Sequence, residues 1–136
     1  MAFARFTGVP SFARSTNSTL GAYAEEIAAH ILKDRGYLII ERNYRSPVGE
    51  IDIIARNERD IVFIEVKGRR SQQFGNPEEA VSPAKQRKLI KTAEGYLSGK
   101  GLIDQPARFD VVSIIFDSKG DPVIDIIKNA FPAGLR

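Results

Sequence analysis

The sequence predicts an α+β fold in which helices flank a mixed β-sheet. Two segments carry apolar residues at helical spacing, several short segments alternate apolar and polar residues, and the second helical segment separates three consecutive strands from the next. The predicted order is αβββαβ, with one more short strand at the end. A hairpin-rich start followed by a helical crossover combines antiparallel and parallel pairs in one sheet.

The first predicted element is an amphipathic helix that begins at Leu20. Its apolar positions recur at helical spacing and are Leu20, Tyr23, Ala24, Ile27, Ala28, Ile31 and Leu32. Ser18 or Thr19 can cap the start of this helix. Residues 37–44 (YLIIERNY) then form a strand candidate, and residues 45–49 (RSPVG) form a turn.

The next two predicted strands form a β-hairpin. Residues 50–56 (EIDIIAR) and 61–68 (IVFIEVKG) are separated only by the polar turn 57–60 (NERD). The two strands are therefore expected to pair antiparallel.

The second predicted helix begins with an N-cap at Ser82 and a proline, Pro83, at the first helical position. Its apolar positions are Leu89, Ile90, Ala93 and Leu97. Residues 107–116 (ARFDVVSIIF) form a strong strand candidate. A turn at 117–121 (DSKGD) then leads to a last short strand at 122–128.

One domain is expected at residues 19–128, with a flexible basic arm at 1–18 before it and a tail at 129–136 after it. The arm has two arginines and no acidic residue, and an early glycine and proline interrupt any regular element. An organelle transit peptide is the alternative for this composition. No run of 18 or more apolar residues exists, so no membrane-spanning segment is expected.

The composition limits the available chemistry. The 136-residue chain has no Cys and a single His, His30. These counts exclude disulfide scaffolds, Cys-ligated zinc, iron–sulfur clusters and thiol nucleophiles. The absence of Cys fits a reducing compartment, and we expect the cytoplasm. Any bound metal must be held by carboxylates, which favour hard ions such as Mg²⁺ or Mn²⁺.

The positive charge is concentrated in one part of the chain. The net charge is +3, whereas segment 67–91 carries seven basic and two acidic residues, a local excess of +5. Such a segment is either a solvated helix face or an electrostatic footprint for a polyanion. In the second case the start of the second helix adds its dipole to phosphate binding. The expected nucleic-acid contacts are Arg69, Arg70, Lys85, Arg87 and Lys88.

The hairpin carries the residues most informative about function. Side-chain alternation puts Glu65 and Lys67 on one strand face, and the hairpin brings Asp52 near Glu65. Two neighbouring carboxylates repel unless a cation lies between them, so the pair suits Mg²⁺. Lys67 can orient or deprotonate the attacking water of phosphodiester hydrolysis, or offset charge on the phosphate oxygens. The alternative is an ordinary ion pair between Glu65 and Lys67 on the sheet.

At these residues the chain resembles the YraN-like family of small bacterial proteins. The matching segments are 49–55 (GEIDIIA), 62–67 (VFIEVK), 43–45 (NYR), 80–81 (AV) and 108–110 (RFD), with Gly21, Ala24, Glu25, Gly75, Pro77 and Lys85. Those proteins resemble Holliday-junction resolvases of the PD-(D/E)xK nuclease-like superfamily. The resemblance covers residues 19–128 and implies a restriction-endonuclease-like αβββαβ core.

The resemblance also implies the site residues. Asp52 corresponds to the superfamily's metal-binding acid, and Glu65 and Lys67 correspond to its (D/E)xK element. Glu25 corresponds to the first-helix glutamate of resolvase-like members and is expected to complete the metal shell. Ile51 stands where the superfamily's named pattern has proline. Without the resemblance, Glu25 is equally well a solvated helix residue.

Two functions remain open at this point. The first is a Mg²⁺- or Mn²⁺-dependent endonuclease that acts on branched, flapped or otherwise structured DNA. The second is a nucleic-acid-binding or partner-docking module that keeps the nuclease fold and turns over nothing. Resolvase-like proteins often act as dimers because a junction has two-fold symmetry, so a homodimer is one expectation.

Overall fold

The computed structural model describes residues 2–5, 20–71, 81–117 and 119–132, which form a six-stranded sheet with one helix on each face. Its elements are β1 (Ala2–Arg5), α1 (Leu20–Asp34), β2 (Leu38–Arg45), β3 (Glu50–Asn57), β4 (Asp60–Arg70), α2 (Pro83–Gly99), β5 (Ala107–Phe116) and β6 (Val123–Ile127). The strand order is β1-β6-β5-β4-β3-β2. The predicted α+β fold with a restriction-endonuclease-like core is confirmed.

The strand directions follow from the connections. Strands β2, β3 and β4 form an antiparallel meander with short turns. Strands β4 and β5 are parallel because α2 makes the crossover between them. Strand β6 pairs antiparallel with both β5 and β1. The sheet is therefore mixed, as the hairpin and the helical crossover predicted.

Each helix buries one apolar layer against the sheet. The layer under α1 includes Tyr23, Ala24, Ile27, Leu32, Ile53, Val62, Ile64, Val112 and Ile124. The layer under α2 includes Leu89, Ala93, Tyr96, Leu97, Ile54, Ile61, Phe63, Phe109 and Val111. Strand β4 contributes to both layers because successive side chains point to opposite faces of a sheet. A polar side chain on this central strand, such as Glu65, therefore lies among buried neighbours.

A buried polar network closes the end of the sheet at the β3–β4 turn. Arg108 of β5 donates hydrogen bonds to Asp60 at 2.7 Å and to Asn57 at 2.8 Å. It also donates to Asp110 at 3.0 Å, which accepts from the Tyr37 hydroxyl at 2.7 Å. Burial acts against the charge of Arg108, but the hydrogen bonds to Asp110 and Asp60 outweigh it and raise the pKa of the guanidinium. The network ties β5 to the hairpin and to the segment after α1.

The beginning of the chain differs from the flexible arm expected at residues 1–18. Residues 2–5 form β1, which pairs antiparallel with residues 123–126 of β6. Without β1, β6 would be an open edge strand with unpaired backbone groups, and the pairing satisfies them. The rest of the expected arm, residues 6–18, lies outside the described residues.

The packed structure also continues past residue 128, where a tail was expected to begin. The ring of Phe131 stacks on Phe109 with 4.9 Å between centroids. The Ala130 N–H donates to the Phe109 carbonyl at 2.8 Å. Phe131 is buried because its ring extends the apolar layer under α2.

Neither α1 nor α2 is long and apolar enough to cross a membrane.

Replacing Arg108 with Met should strongly destabilise the protein. Asp110 would stay buried without its cationic partner, which lowers the free energy of unfolding by ~3–5 kcal/mol. The matched control is Arg59→Met, because Arg59 lies exposed in the β3–β4 turn and its loss should change little. Urea denaturation of both variants measures the difference. Equal unfolding midpoints would contradict the structural role of the network.

Candidate metal and nucleic-acid site

A cleft lies over β3 and β4, between the β2–β3 turn and the start of α2. Its volume is about 470 Å³. The described residues that line it are Ser46, Pro47, Val48, Gly49, Glu50, Asp52, Glu65, Lys85, Lys88 and Leu89. The structure therefore brings two of the predicted site carboxylates and two of the predicted basic residues into one cleft.

Asp52 lies where β3 and β4 separate. The paired register of the two strands ends at Ile53↔Ile64, and one further pair would place Asp52 opposite Glu65. Beyond that end, the Val66 N–H donates to Asp52 Oδ2 at 2.8 Å. The carboxylate takes the place of a backbone acceptor, so it is held at the gap between the strands.

Asp52 and Glu65 line the cleft side by side, as the hairpin predicted, and are close enough for the charge of Glu65 to act on Asp52. The side chain of Glu65 is only 9% exposed. Burial and the neighbouring negative charge of Glu65 together raise the pKa of Asp52 to about 6. Two acidic groups this close need a proton or a cation between them, which is the electrostatic condition for a metal site.

Lys85 meets this carboxylate pair directly. Its ammonium forms an ion pair with Glu65 Oε2. The sequence predicted Lys85 as a phosphate contact and did not predict this pairing. The contact depends on where α2 begins: Ser82 caps the helix by accepting from the Lys85 N–H at 3.2 Å, and Pro83 is the first helical residue. This start places the first turn of α2 over Glu65.

Glu25 approaches Asp52 from α1. Burial and then the charge of Asp52 raise the pKa of Glu25. Asn43 of β2, which has a positive φ of 56°, lies near enough to Glu25 to lower that pKa in part. Sequence reasoning missed this partner, although asparagine within a strand pattern is a recognisable signal because it tolerates the left-handed conformation.

The remaining predicted basic residues are spread over the molecule. Lys67 and Arg69 follow Glu65 on the same face of β4, whereas Arg70 is exposed and on the opposite face. Arg87 is exposed on α2. Among the described residues, the cations that line the cleft are Lys85 and Lys88, and Lys67 does not line it. Within the described residues, the basic side chains predicted to bind phosphates therefore do not form one continuous surface.

The donor groups fit a hard divalent cation in part. Within the described ranges, no three Asp, Glu, His or Cys side chains form a group arranged to hold a metal ion. Glu25 thus does not complete a three-carboxylate cluster there, because it lies on the α1 side, near Asn43. Asp52 and Glu65 alone suit Mg²⁺ or Mn²⁺, since Mg²⁺ usually takes one or two carboxylates and fills its shell with water and substrate phosphate oxygens.

Two glycines set the distance of the helices from the site. A Cβ at Gly68 of β4 would lie 2.7 Å from the Ala24 Cβ, next to Glu25 in α1. A Cβ at Gly49 would lie 2.8 Å from Thr92 Oγ1 in α2. Both contacts are too short for a larger residue, so glycine lets α1 and α2 approach the sheet beside the carboxylates.

Gly68→Ala should therefore destabilise the protein and displace α1 from the site. The added methyl group overpacks against Ala24 and should cost ~1–3 kcal/mol of unfolding free energy. Gly21→Ala is the matched control, because nothing lies within 4 Å of its Cβ position and the change should be neutral or favour α1. Thermal unfolding of both variants checks this. A Gly68→Ala protein as stable as the Gly21→Ala protein would contradict the close approach.

Comparison with known proteins places these residues in a family. Residues 24–114 match the family described as "Uncharacterised protein family UPF0102". The chain is 49% identical over 118 residues to a UPF0102 protein of Geotalea uraniireducens, covering 87% of this chain and 93% of the relative. It is 46% identical over 115 residues to one of Geobacter sulfurreducens, covering 85% and 90%. It is 45% identical over 117 residues to one of Moorella thermoacetica, covering 85% and 98%.

These matches confirm the resemblance that the hairpin motifs indicated. The matched range includes both strands of the hairpin, all of α2, and α1 from residue 24 onward. The chain belongs to the UPF0102 family, the YraN-like group of bacterial proteins.

Proposed function

We propose that this protein is a Mg²⁺- or Mn²⁺-dependent endonuclease that hydrolyses phosphodiester bonds in branched or otherwise structured DNA. The observation that carries the proposal is that the half-buried Asp52 and the buried Glu65 lie side by side in a cleft that Lys85 and Lys88 also line. The nuclease-like character of the family supports it. The preference for branched DNA rests on the family's resemblance to Holliday-junction resolvases.

The proposal gives the acidic residues the task of holding the cation. Asp52 and Glu65 supply its protein ligands, because both line the cleft and the charge of Glu65 acts on Asp52. When bound, such a cation neutralises phosphate charge and activates a water molecule as the nucleophile. Glu25 lies on the α1 side, near enough to Asp52 for their charges to interact, and its negative charge favours a cation in the cleft.

The basic residues then bind the phosphate groups. Lys88 is exposed on α2 and lines the same cleft, so its ammonium can bind a backbone phosphate beside the scissile one. Lys67 lies outside the cleft lining but follows Glu65 on the same face of β4, so its role in this proposal is a longer-range one: its positive charge offsets negative charge that develops on the phosphate during attack. Lys67 is half-buried, so water screens its charge less than it screens the charge of an exposed lysine.

A nucleic-acid-binding or partner-docking module with the nuclease fold is the second candidate. Two observations favour it: the described residues hold no three-carboxylate group, and Lys85 already neutralises part of the negative charge. Such a module would bind DNA without a divalent cation and cut none. Its affinity would fall steeply with salt, as phosphate contacts require.

Cleavage should require both carboxylates. With Mn²⁺ and labelled four-way, flapped and single-stranded DNA, we expect Asp52→Asn and Glu65→Gln to lower the cleavage rate at least ~100-fold. The matched control is Asp104→Asn, because Asp104 is exposed in the loop before β5 and should leave the rate unchanged. Gel electrophoresis of the products measures the rates. Equal cleavage by all proteins, or none by the wild type on any substrate, would contradict the proposal.

Asp52→Asn should also stabilise the protein in the absence of divalent cations. The substitution removes the repulsion between the carboxylates of Asp52 and Glu65, while the amide oxygen still accepts from Val66 N–H, and the gain should be ~1 kcal/mol. In wild type, Mn²⁺ should raise the unfolding temperature, and in the variant it should not. Thermal unfolding with and without Mn²⁺ tests both statements. A variant that is less stable than wild type and still responds to Mn²⁺ would show that Asp52 serves folding.

A further inference from the structure

We infer that Lys85 is an exchangeable counter-ion, which holds the carboxylate pair before a divalent cation binds and moves to a DNA phosphate once the cation takes its place. The inference rests on the proposed function and adds to it a coupling between cation binding and DNA binding. DNA affinity would then depend on whether a cation occupies the metal site, because only a bound cation frees the Lys85 ammonium for a phosphate.

The first support is the asymmetry of the ion pair between Lys85 and Glu65. The Glu65 side chain is 9% exposed, whereas the Lys85 side chain is 45% exposed. Glu65 is fixed on the central strand and has little freedom to move away. Lys85 reaches it from the surface on a flexible stem, so it can leave without disturbing the core.

The second support is the charge of the site. Asp52 and Glu65 carry two negative charges when both are ionised, and the ammonium of Lys85 supplies one positive charge. The lysine also acts on Asp52, whose pKa its charge lowers against the larger effects of burial and Glu65. A divalent cation neutralises the pair completely. A cation and an ammonium on the same pair would repel each other, so binding of one expels the other.

The third support is the anchoring of the Lys85 backbone. Its backbone N–H donates to the Ser82 hydroxyl in the first turn of α2. The Lys85 side chain can therefore change position without any displacement of the helix backbone. The expelled ammonium remains beside the cleft, at the positive end of the helix dipole. A phosphate oxygen is the anion that this position then favours.

Lys88 offers a matched comparison within the same helix. It lies one turn after Lys85, lines the same cleft and is exposed. Its stem packs near Gly49, where a Cβ would lie 3.5 Å from Lys88 Cγ. In the described part of the chain no ion pair holds its ammonium. It has the charge and the position of Lys85 without the carboxylate partner.

Calorimetric titration with Mn²⁺ tests the first half of the exchange. We expect Lys85→Met to bind Mn²⁺ about tenfold more tightly than wild type, because no ammonium has to be displaced. Lys88→Met should stay within about twofold of wild type, and Lys85→Arg should resemble wild type because it keeps the charge. Thermal unfolding of each variant confirms that it is folded. Unchanged or weaker Mn²⁺ binding by Lys85→Met would overturn the inference.

DNA binding tests the second half. Affinity for a four-way junction is measured in Ca²⁺ at fixed ionic strength, and again in EDTA. We expect Lys85→Met to lose about fivefold in affinity in Ca²⁺ and almost nothing in EDTA, whereas Lys88→Met should lose similar amounts in both. Equal losses for Lys85→Met in the two conditions would overturn the exchange.

The outcomes separate this inference from the proposed function. If wild type binds Mn²⁺ and cleaves DNA while Lys85→Met behaves as Lys88→Met does, only the exchange fails. If wild type binds neither Mn²⁺ nor DNA, the proposed function fails together with it.

Discussion

The hydrogen bond from the Val66 N–H to the Asp52 carboxylate is the interaction on which the site depends. It forms where β3 and β4 stop pairing, so an acidic side chain stands in for a missing backbone acceptor at the centre of the sheet. An oxygen that accepts this bond cannot turn away to solvent. Asp52 is therefore held against Glu65, within reach of the charge of Glu25 from one helix and of Lys85 from the other. The gap between two strands becomes a place where groups from both layers meet.

The two apolar layers hold these charged side chains in position. Strand β4 is buried by α1 on one face and by α2 on the other, so the position of Glu65 is set by close-packed neighbours. Gly68 and Gly49 then let the helices come closer at the points that flank the carboxylates. A residue with a side chain at either place would move a helix and the charged group it carries. Packing thus controls the electrostatics of the cleft, because the energy of a charge pair depends on its distance and burial.

The two ends of the sheet use buried charge in opposite ways. At the β3–β4 turn, Arg108 donates hydrogen bonds to both Asp60 and Asp110 and to Asn57, so a cation lies between the two carboxylates in a network that serves stability. At the cleft, Lys85 forms an ion pair with Glu65 alone, and burial together with the charge of Glu65 raises the pKa of Asp52. Unrelieved repulsion between neighbouring carboxylates lowers stability, and such perturbed groups cluster where proteins bind a ligand of the opposite charge.

The sequence by itself determined the order of helices and strands, the starts of both helices and the meeting of Asp52 with Glu65. Periodicity reports local structure, and a hairpin with a short turn fixes its own register, so these features need only neighbouring residues. The strand at residues 2–5 and the burial of Phe131 were not predictable, because each depends on a partner that is distant in the chain. The same reason applies at the site. The sequence predicts Lys85 to be a surface cation. It pairs with Glu65 only because α2 packs over β4. Tertiary structure decided which charges meet, because the distance between two layers is set by packing and not by any local pattern.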